Sequence, residues 1–514
     1  MIICYASEYI FKVIILHKKY HGKYFFIIYH IYCFILRDCA IIITESILHP
    51  EFEMKYPLLT KDRSFYKTLF LLAIPIALQN FISYGVNFMD NLMIGKLGEI
   101  DIAGVYIGNQ FQTVVQLMVN GITGSLTILG AQYWGRKDTL RIRQLTAISI
   151  RCAIVLGMVF TFVALMLPRP ILSLFSKDPL VLDSGVKYLT IVCWSYIFFC
   201  YSMTLVASMQ AVEQVKIGLY ITILALFTNV GLNYVLIFGK LGLPAMGVRG
   251  AALATLISRM IESAVLTVYV CSVDKKLGFT MKSFFLKGDG LFRDLVRCGA
   301  PIMGAWIVWA VNNLAQTAIM GRVGTEAVSA VSIANNLSQL LFMAVIGLAA
   351  ALGIVTSKTV GAGEYEKMKE YAITAQIIFL AIGFVVAGIF LILKNTVINF
   401  YNLTEETRRI TNQFMIVLIV AQIGRCYQAT CLQGLVRAGG DTAFIFKNDT
   451  IFVFGVLLPS ALIAMYVFHA PAWVIYACLQ SDQILKCFVA VVKINRFKWM
   501  KNLTRAAIVE EAAD

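Results

Sequence analysis

A carboxylate inside a long apolar run must face a polar interior, take up a proton, or sit beside a cation. Asp90 is the clearest such residue in this chain, within Phe88-Met89-Asp90-Asn91-Leu92-Met93-Ile94-Gly95-Lys96-Leu97-Gly98. Protonated or ionised beside a bound cation, it would couple events around it to an ion; the competing reading is a carboxylate near the interface that caps local backbone. Asn229 and Asn233 are four residues apart and share one helical face. Amides so placed complete a proton or cation site beside a carboxylate, or simply bond helix to helix. Arg425, Asp449, Asp482 and Lys486 also fall within or at the ends of apolar runs, with Asp482 and Lys486 at i,i+4 spacing. That pattern suits a structural ion-pair network towards the cytoplasmic side. Trp194, Trp306 and Trp309, with Tyr196, Phe198, Phe199 and Tyr201, could line a pocket for planar substrates by stacking and cation–π contact, or face lipid.

The elements that must position these residues are long and apolar. Of 514 residues 59% are hydrophobic and 14% charged, and the mean hydropathy is +0.77, so lipid is the solvent for most of the chain. After residue 67, twelve stretches reach about 20 residues, enough to cross the hydrocarbon as helices. They centre near residues 82, 117, 155, 198, 228, 260, 307, 342, 382, 422, 456 and 482. The net charge of +15 is scattered through short gaps, which points to anionic headgroups and away from nucleic acid. Twelve cysteines sit singly, without metal-ligand spacing, so no disulfide framework and no metal cofactor is expected.

Lysine and arginine accumulate in alternate gaps: Arg136 to Arg143, Lys275 to Lys287, Lys358 to Lys369, and the tail from Lys493 to Arg505. Cationic loops stay in the cytoplasm, so both ends of the twelve-span body should be cytoplasmic. The expected layout is an amino-terminal lobe over residues 54–273, a linker at 274–292 that reads as an interfacial amphipathic segment or an ordinary loop, a carboxy-terminal lobe over 293–495, and a tail at 496–514. Residues 1–53 differ in composition, and their longest apolar run is short for a span. Met54 is the expected physiological start, an interfacial or thirteenth helix being the competing reading.

Sliding the chain by 226 residues lays Pro75 to Gly135 on Pro301 to Gly361 without a gap. The register matches Pro75 with Pro301, Asn87 with Asn313, Gly95 with Gly321, Gly98 with Gly324, Asn109 with Asn335, Gly121 with Gly347 and Gly135 with Gly361. Common apolar residues match by chance; aligned Pro, Gly and Asn do not. Because each half holds an even number of spans, the halves are parallel repeats around an axis along the membrane normal, with a cleft between them. The expected fold is an all-α membrane protein of twelve transmembrane helices in two pseudo-symmetric six-helix bundles. The partner of Asp90 is the neutral Gln316.

These segments resemble the multidrug and toxic compound extrusion (MATE) transporters. The residues that carry the resemblance are Asp90 to Gly98 after Pro75, Gln316 to Gly324 after Pro301, the run from Asn229 to Gly239, and Leu435-Val436-Arg437-Ala438-Gly439-Gly440-Asp441-Thr442. The resemblance implies a two-lobed antiporter that exports amphipathic, often cationic, compounds in exchange for H⁺ or Na⁺. It implies that Asp90 binds the coupling ion, with Asn229, Asn233, Tyr188 and Thr255 beside it, and that Pro75 is where the first helix bends. Other members use acids in the seventh and tenth helices. Here those helices offer Asn312, Asn313 and Gln316, and Arg425 and Cys426, which concentrates coupling on Asp90.

The expectation is therefore an ion-driven exporter, not an enzyme, in a bacterial cytoplasmic membrane. It should act as a monomer on a small-molecule substrate, with no cofactor and no metal other than Na⁺ as an alternative to H⁺ at Asp90. Trp194, Trp309, Asn312 and Gln316 are candidates for the substrate pocket. No nucleotide-binding glycine loop and no nucleophile elbow is found. A flippase for a lipid-linked oligosaccharide precursor is the alternative, although it would need a row of cations in its cleft.

Overall fold

A computed structural model describes residues 56–401 and 403–505; the expected start at Met54 and the extension before it lie outside them. Among the described residues eleven helices are long and apolar enough to cross a membrane, and a bent pair taken as one span makes twelve. In chain order the first lobe has Arg63–Gly95, Glu99–Gly135, Thr139–Met166, the bent pair Pro179–Val192 with Ser195–Ala211, Lys216–Phe238 and Val248–Val273. The second has Leu291–Val323, Thr325–Gly361, Tyr365–Phe400, Glu405–Arg437, Thr442–Tyr466 and Ala472–Asn495. The protein is an all-α membrane protein of two six-span bundles.

Local chemistry sets the ends of these helices. Asp62 accepts from Ser64 N at 2.9 Å, and Asp138 from Arg141 N at 3.0 Å, each satisfying an amide that the first turn leaves free. The turns into the second and eighth spans pass through the matched glycines Gly98 and Gly324, with φ of 126° and 153°, where a side chain would be strained. The fourth span is broken, with its two helices at 53°. The Cys193 carbonyl at the break accepts from Tyr196 N at 3.0 Å and from Thr161 Oγ1 of the third span at 2.8 Å, so a side chain joins the backbone in satisfying it.

The lobes meet where small residues let backbones touch. A Cβ on Gly135 would lie 2.1 Å from Lys358 O, and one on Gly361 would lie 2.1 Å from Gln132 O. Higher in the crossing, a Cβ on Gly121 would meet Met303 Cβ at 3.0 Å and one on Gly347 would meet Ala77 Cα at 2.7 Å. Each contact in either pair maps on its twin through the same 226-residue shift, so the interface between lobes carries the symmetry of the repeat. Close backbone approach is the main source of helix association in lipid, where the hydrophobic effect is absent.

This tight crossing lies at the end of the bundle that carries the basic loops, here the basic face. Lys358 Nζ bonds Glu213 across the lobes at 2.8 Å, and Trp134 Nε1 donates to the same carboxylate. The tail is laid over the junction. Trp499 is fully buried, Lys501 N donates to Gly439 O at 2.7 Å, and Arg505 pairs with Asp294 at 2.8 Å. Buried Gln132 donates to Lys501 O and accepts from Leu503 N. The chain ahead of the first span docks on the other lobe as well, with Thr60 N on Thr374 Oγ1 and Tyr371 donating to Asp62.

Two outcomes follow from this closure. Gly361→Ala should raise hydrogen–deuterium exchange at residues 132–138 and 358–364, whereas Gly455→Ala, with open space around it, should leave both segments unchanged. The second concerns Asp441. Burial pushes its carboxyl up, but Lys493 at 2.8 Å and Lys501 at 2.9 Å outweigh burial and hold it below its ordinary value of 3.8. A carboxyl lowered in the folded state adds stability that is complete above its unfolded value and fades as pH falls through the lower folded one. Asp441→Asn should therefore speed exchange in residues 496–505 at pH 7, and wild-type protein should show the same loosening only below about pH 4.

Candidate functional site

Asp90 lies late in the first span, half-buried, and accepts from Asn233 Nδ2 at 2.5 Å. The same Nδ2 donates to Asn229 Oδ1 at 3.1 Å, so the i,i+4 pair and the carboxylate form one chain of bonds. Both asparagines are buried, and Asn233 Oδ1 has no partner among the described residues. Such an oxygen is costly to leave unpaired in an apolar interior. Beside it, Asp90 and Asn229 add further oxygens, which suits a proton shared with the carboxyl or a small hard cation.

Tyr188, from the fourth span, donates to Asn109 Oδ1 at 3.0 Å and interacts with Thr255. The five residues that the resemblance singled out thus gather in the amino lobe. Three more belong with them. Asn109 orients Tyr188, and Arg259 is near enough to Asp90 to act on its charge. Arg259 is itself committed to Glu262 at 2.6 Å and to the ring of Phe199 at 5.1 Å. The signal for Arg259 and Glu262 was the one that marked Asp90, an ionisable residue within a span; Asn109 was an anchor of the repeat.

The matched place in the second lobe has a different chemistry. Gln316 stands for Asp90 and receives a long bond from Gln480 Nε2 at 3.5 Å. The eleventh span has no pair of asparagines at i,i+4 spacing to stand for Asn229 and Asn233. Asn335, the twin of Asn109, accepts from Tyr476 Oη at 3.1 Å, but Tyr476 comes from the twelfth span. Phe414 occupies the place of Tyr188 and stacks on Tyr476 with centroids 4.4 Å apart.

The expected charge network forms in part. Lys486 is buried and pairs with Asp449 at 2.9 Å and Asp482 at 3.2 Å. It lies well inside the twelfth span rather than at its cytoplasmic end. Arg425 makes no ion pair among the described residues: it donates to Ser338 Oγ at 3.2 Å and Gln339 Oε1 at 3.0 Å and covers the ring of Phe342 at 4.0 Å. Neutral acceptors on the eighth span are simply closer to it than the carboxylates, which Lys486 already holds.

The pocket candidates are scattered. Trp309 packs edge-on against Trp306 at 5.7 Å, and buried Trp306 Nε1 and Asn312 Oδ1 lack partners among the described residues. Trp194 stands half-exposed at the break in the fourth span, with no bond or ring contact to Trp309, Asn312 or Gln316 among the described residues. Polar stripes mark the cleft better. Asn109, Thr113, Gln116 and Asn120 run along the second span, and Ser332, Asn335, Asn336 and Gln339 along the eighth. Several of these are exposed, and exposed amides inside spans face water, not lipid.

Two repeated lobes around a polar cleft, with an acid held inside one of them, define a membrane transporter. The MatE family model matches residues 75–235 and 301–463, and the chain belongs to this family, the MATE transporters. It is 26% identical over 396 residues to the "Probable multidrug resistance protein NorM" of Halalkalibacterium halodurans, covering 77% of this chain and 86% of that one. It is 23% identical over 450 residues to the multidrug resistance protein MdtK of Yersinia pseudotuberculosis, covering 87% and 98%. The fold is similar to the bent form of the Vibrio cholerae MATE transporter VcmN, with a TM-score of 0.77 at 16% identity over 84% of this chain and 97% of that one.

Removing one member of the buried triad tests its structural weight. Lys486→Met would leave two acids without their cation and should cost about 3–5 kcal/mol, read as a lower unfolding temperature in detergent. Adding Asp449→Asn and Asp482→Asn should recover most of the loss. A triad irrelevant to folding would show neither change.

Proposed function

We propose that this transporter is an ion-coupled antiporter that exports amphipathic, cationic organic compounds by alternating access, with H⁺ or Na⁺ as the coupling ion at Asp90. The observation that carries this reading is the bonded set of Asp90, Asn233 and Asn229, with one amide oxygen beside it that has no partner among the described residues. A proton would turn one carboxyl oxygen of Asp90 from acceptor to donor, and the free Asn233 carbonyl is the acceptor ready for it. Na⁺ would instead draw on the same oxygens as ligands. Either event rearranges the bond that ties the first span to the fifth.

Pro75 lies inside the first span and removes a backbone donor, leaving a place where this helix can bend. Motion at Asp90 can thus be passed to the first span, which also touches the second lobe at Ala77. Retention of basic loops in the cytoplasm makes the closed basic face the inner one, with both ends of the body inside a bacterial cytoplasmic membrane. The cleft then faces outward in this conformation. The relatives named as multidrug resistance proteins support drug export, and the proposed working unit is a monomer. A flippase for a lipid-linked pyrophosphate would need free cations in the amino lobe, where Arg259 is already paired with Glu262.

In proteoliposomes, efflux of a cationic dye should run under an imposed H⁺ or Na⁺ gradient, and the gradient that works identifies the ion. Asp90→Asn should abolish gradient-driven efflux while the protein stays monodisperse. Full efflux by that variant would overturn the assignment.

A further inference from the structure

The second lobe holds a cation that no function described so far uses. Arg425 sits within the tenth span, and its partners among the described residues are all neutral: Ser338, Gln339 and the face of Phe342. Ser338 is fixed in turn, since its hydroxyl donates to Gln422 Oε1 at 3.0 Å. A guanidinium has five N–H donors, and these bonds use two of them. Gln339 belongs to the polar stripe of the eighth span, so the remaining donors lie at the edge of the cleft.

The charges around Arg425 do not cancel. The nearest acid acting on it is Asp482, which Lys486 holds at 3.2 Å while also holding Asp449. Arg437 lies near Asp449 as well. Three cations, Arg425, Arg437 and Lys486, therefore share two carboxylates in this cluster. In the amino lobe the balance is reversed, with Asp90 and Glu262 around Arg259. A half-buried cation with neutral partners is compensated only in part, and an incoming anion would complete it.

We propose that Arg425 is the centre of an anion-recognition site in the carboxy-terminal lobe, which takes the carboxylate of an amphipathic zwitterion. The planar, forked guanidinium matches a carboxylate through two parallel bonds, and Phe342 holds it flat from one side. The site rests on the export reading only in that the cleft admits an organic amphiphile. It widens the substrate class from cations alone to compounds that carry both charges.

A matched pair of rhodamine dyes separates the two classes: the zwitterionic free benzoate and its cationic methyl ester. Binding is measured by fluorescence anisotropy to purified protein in nanodiscs, with empty nanodiscs subtracted. Wild-type protein should bind the benzoate about tenfold more tightly than the ester. Arg425→Gln should lose that preference with ester affinity unchanged, and Arg425→Lys should keep part of it. Equal binding of both dyes to wild type, no saturable binding of the benzoate, or an equal loss of both in Arg425→Gln would overturn the proposal. The wild-type comparison stands even where a variant fails to fold. Flux in proteoliposomes is read separately, so benzoate preference without gradient-driven flux would sink the antiporter reading and leave this site intact.

Discussion

The contact on which the rest of this protein depends is the meeting of two helix backbones at Gly135 and Gly361. In lipid, apolar side chains gain little by leaving one apolar neighbour for another, so lobes are held by close approach and by polar bonds. Here the approach is as close as backbones allow, and it occurs twice, in mirror-like register, because the repeat supplies the same glycine to both sides. Everything built near it uses that proximity: the Glu213 to Lys358 bond, the two-way clasp of Gln132 on the tail, and Trp499 beneath Gly439. The opposite ends of the same helices carry polar residues instead. One end of the cleft is thus sealed by geometry and the other is left wet.

Much of this was legible in the sequence because the bilayer leaves few options. Spans must be long and helical, which fixed the number and position of all twelve. The repeat was legible through Pro, Gly and Asn, whose places in a helix are set by backbone needs rather than by hydrophobicity. Asn229 and Asn233 could be paired with each other by spacing alone, but their bond to Asp90 needed a register between the first and fifth spans that spacing does not contain. The break at Trp194 was not legible either, since the run through it is apolar and rich in aromatics. What makes it tolerable is Thr161 on another helix.

The residues that sequence reasoning placed wrongly or missed share one trait: their role depends on which partner arrives first. Arg425 was grouped with three other charges because all lie in neighbouring apolar runs. In the fold, Lys486 takes both acids, and Arg425 turns to the eighth span. Arg259 went unnoticed, although it tempers the charge around Asp90 through its own bond to Glu262. Charge in a span marks a residue as worth attention; only packing decides its company.

The two asparagines Asn109 and Asn335 hold the same place in the two lobes, and each is satisfied by a tyrosine hydroxyl. Those tyrosines arrive from different helices, Tyr188 from the fourth span and Tyr476 from the twelfth. The repeated position thus makes the same demand for a donor in both lobes, and a different helix supplies it in each. Comparison of the lobes column by column would score Tyr188 against Phe414 as a loss. Followed by hydrogen-bond partner, the two lobes carry the same requirement and meet it from different elements.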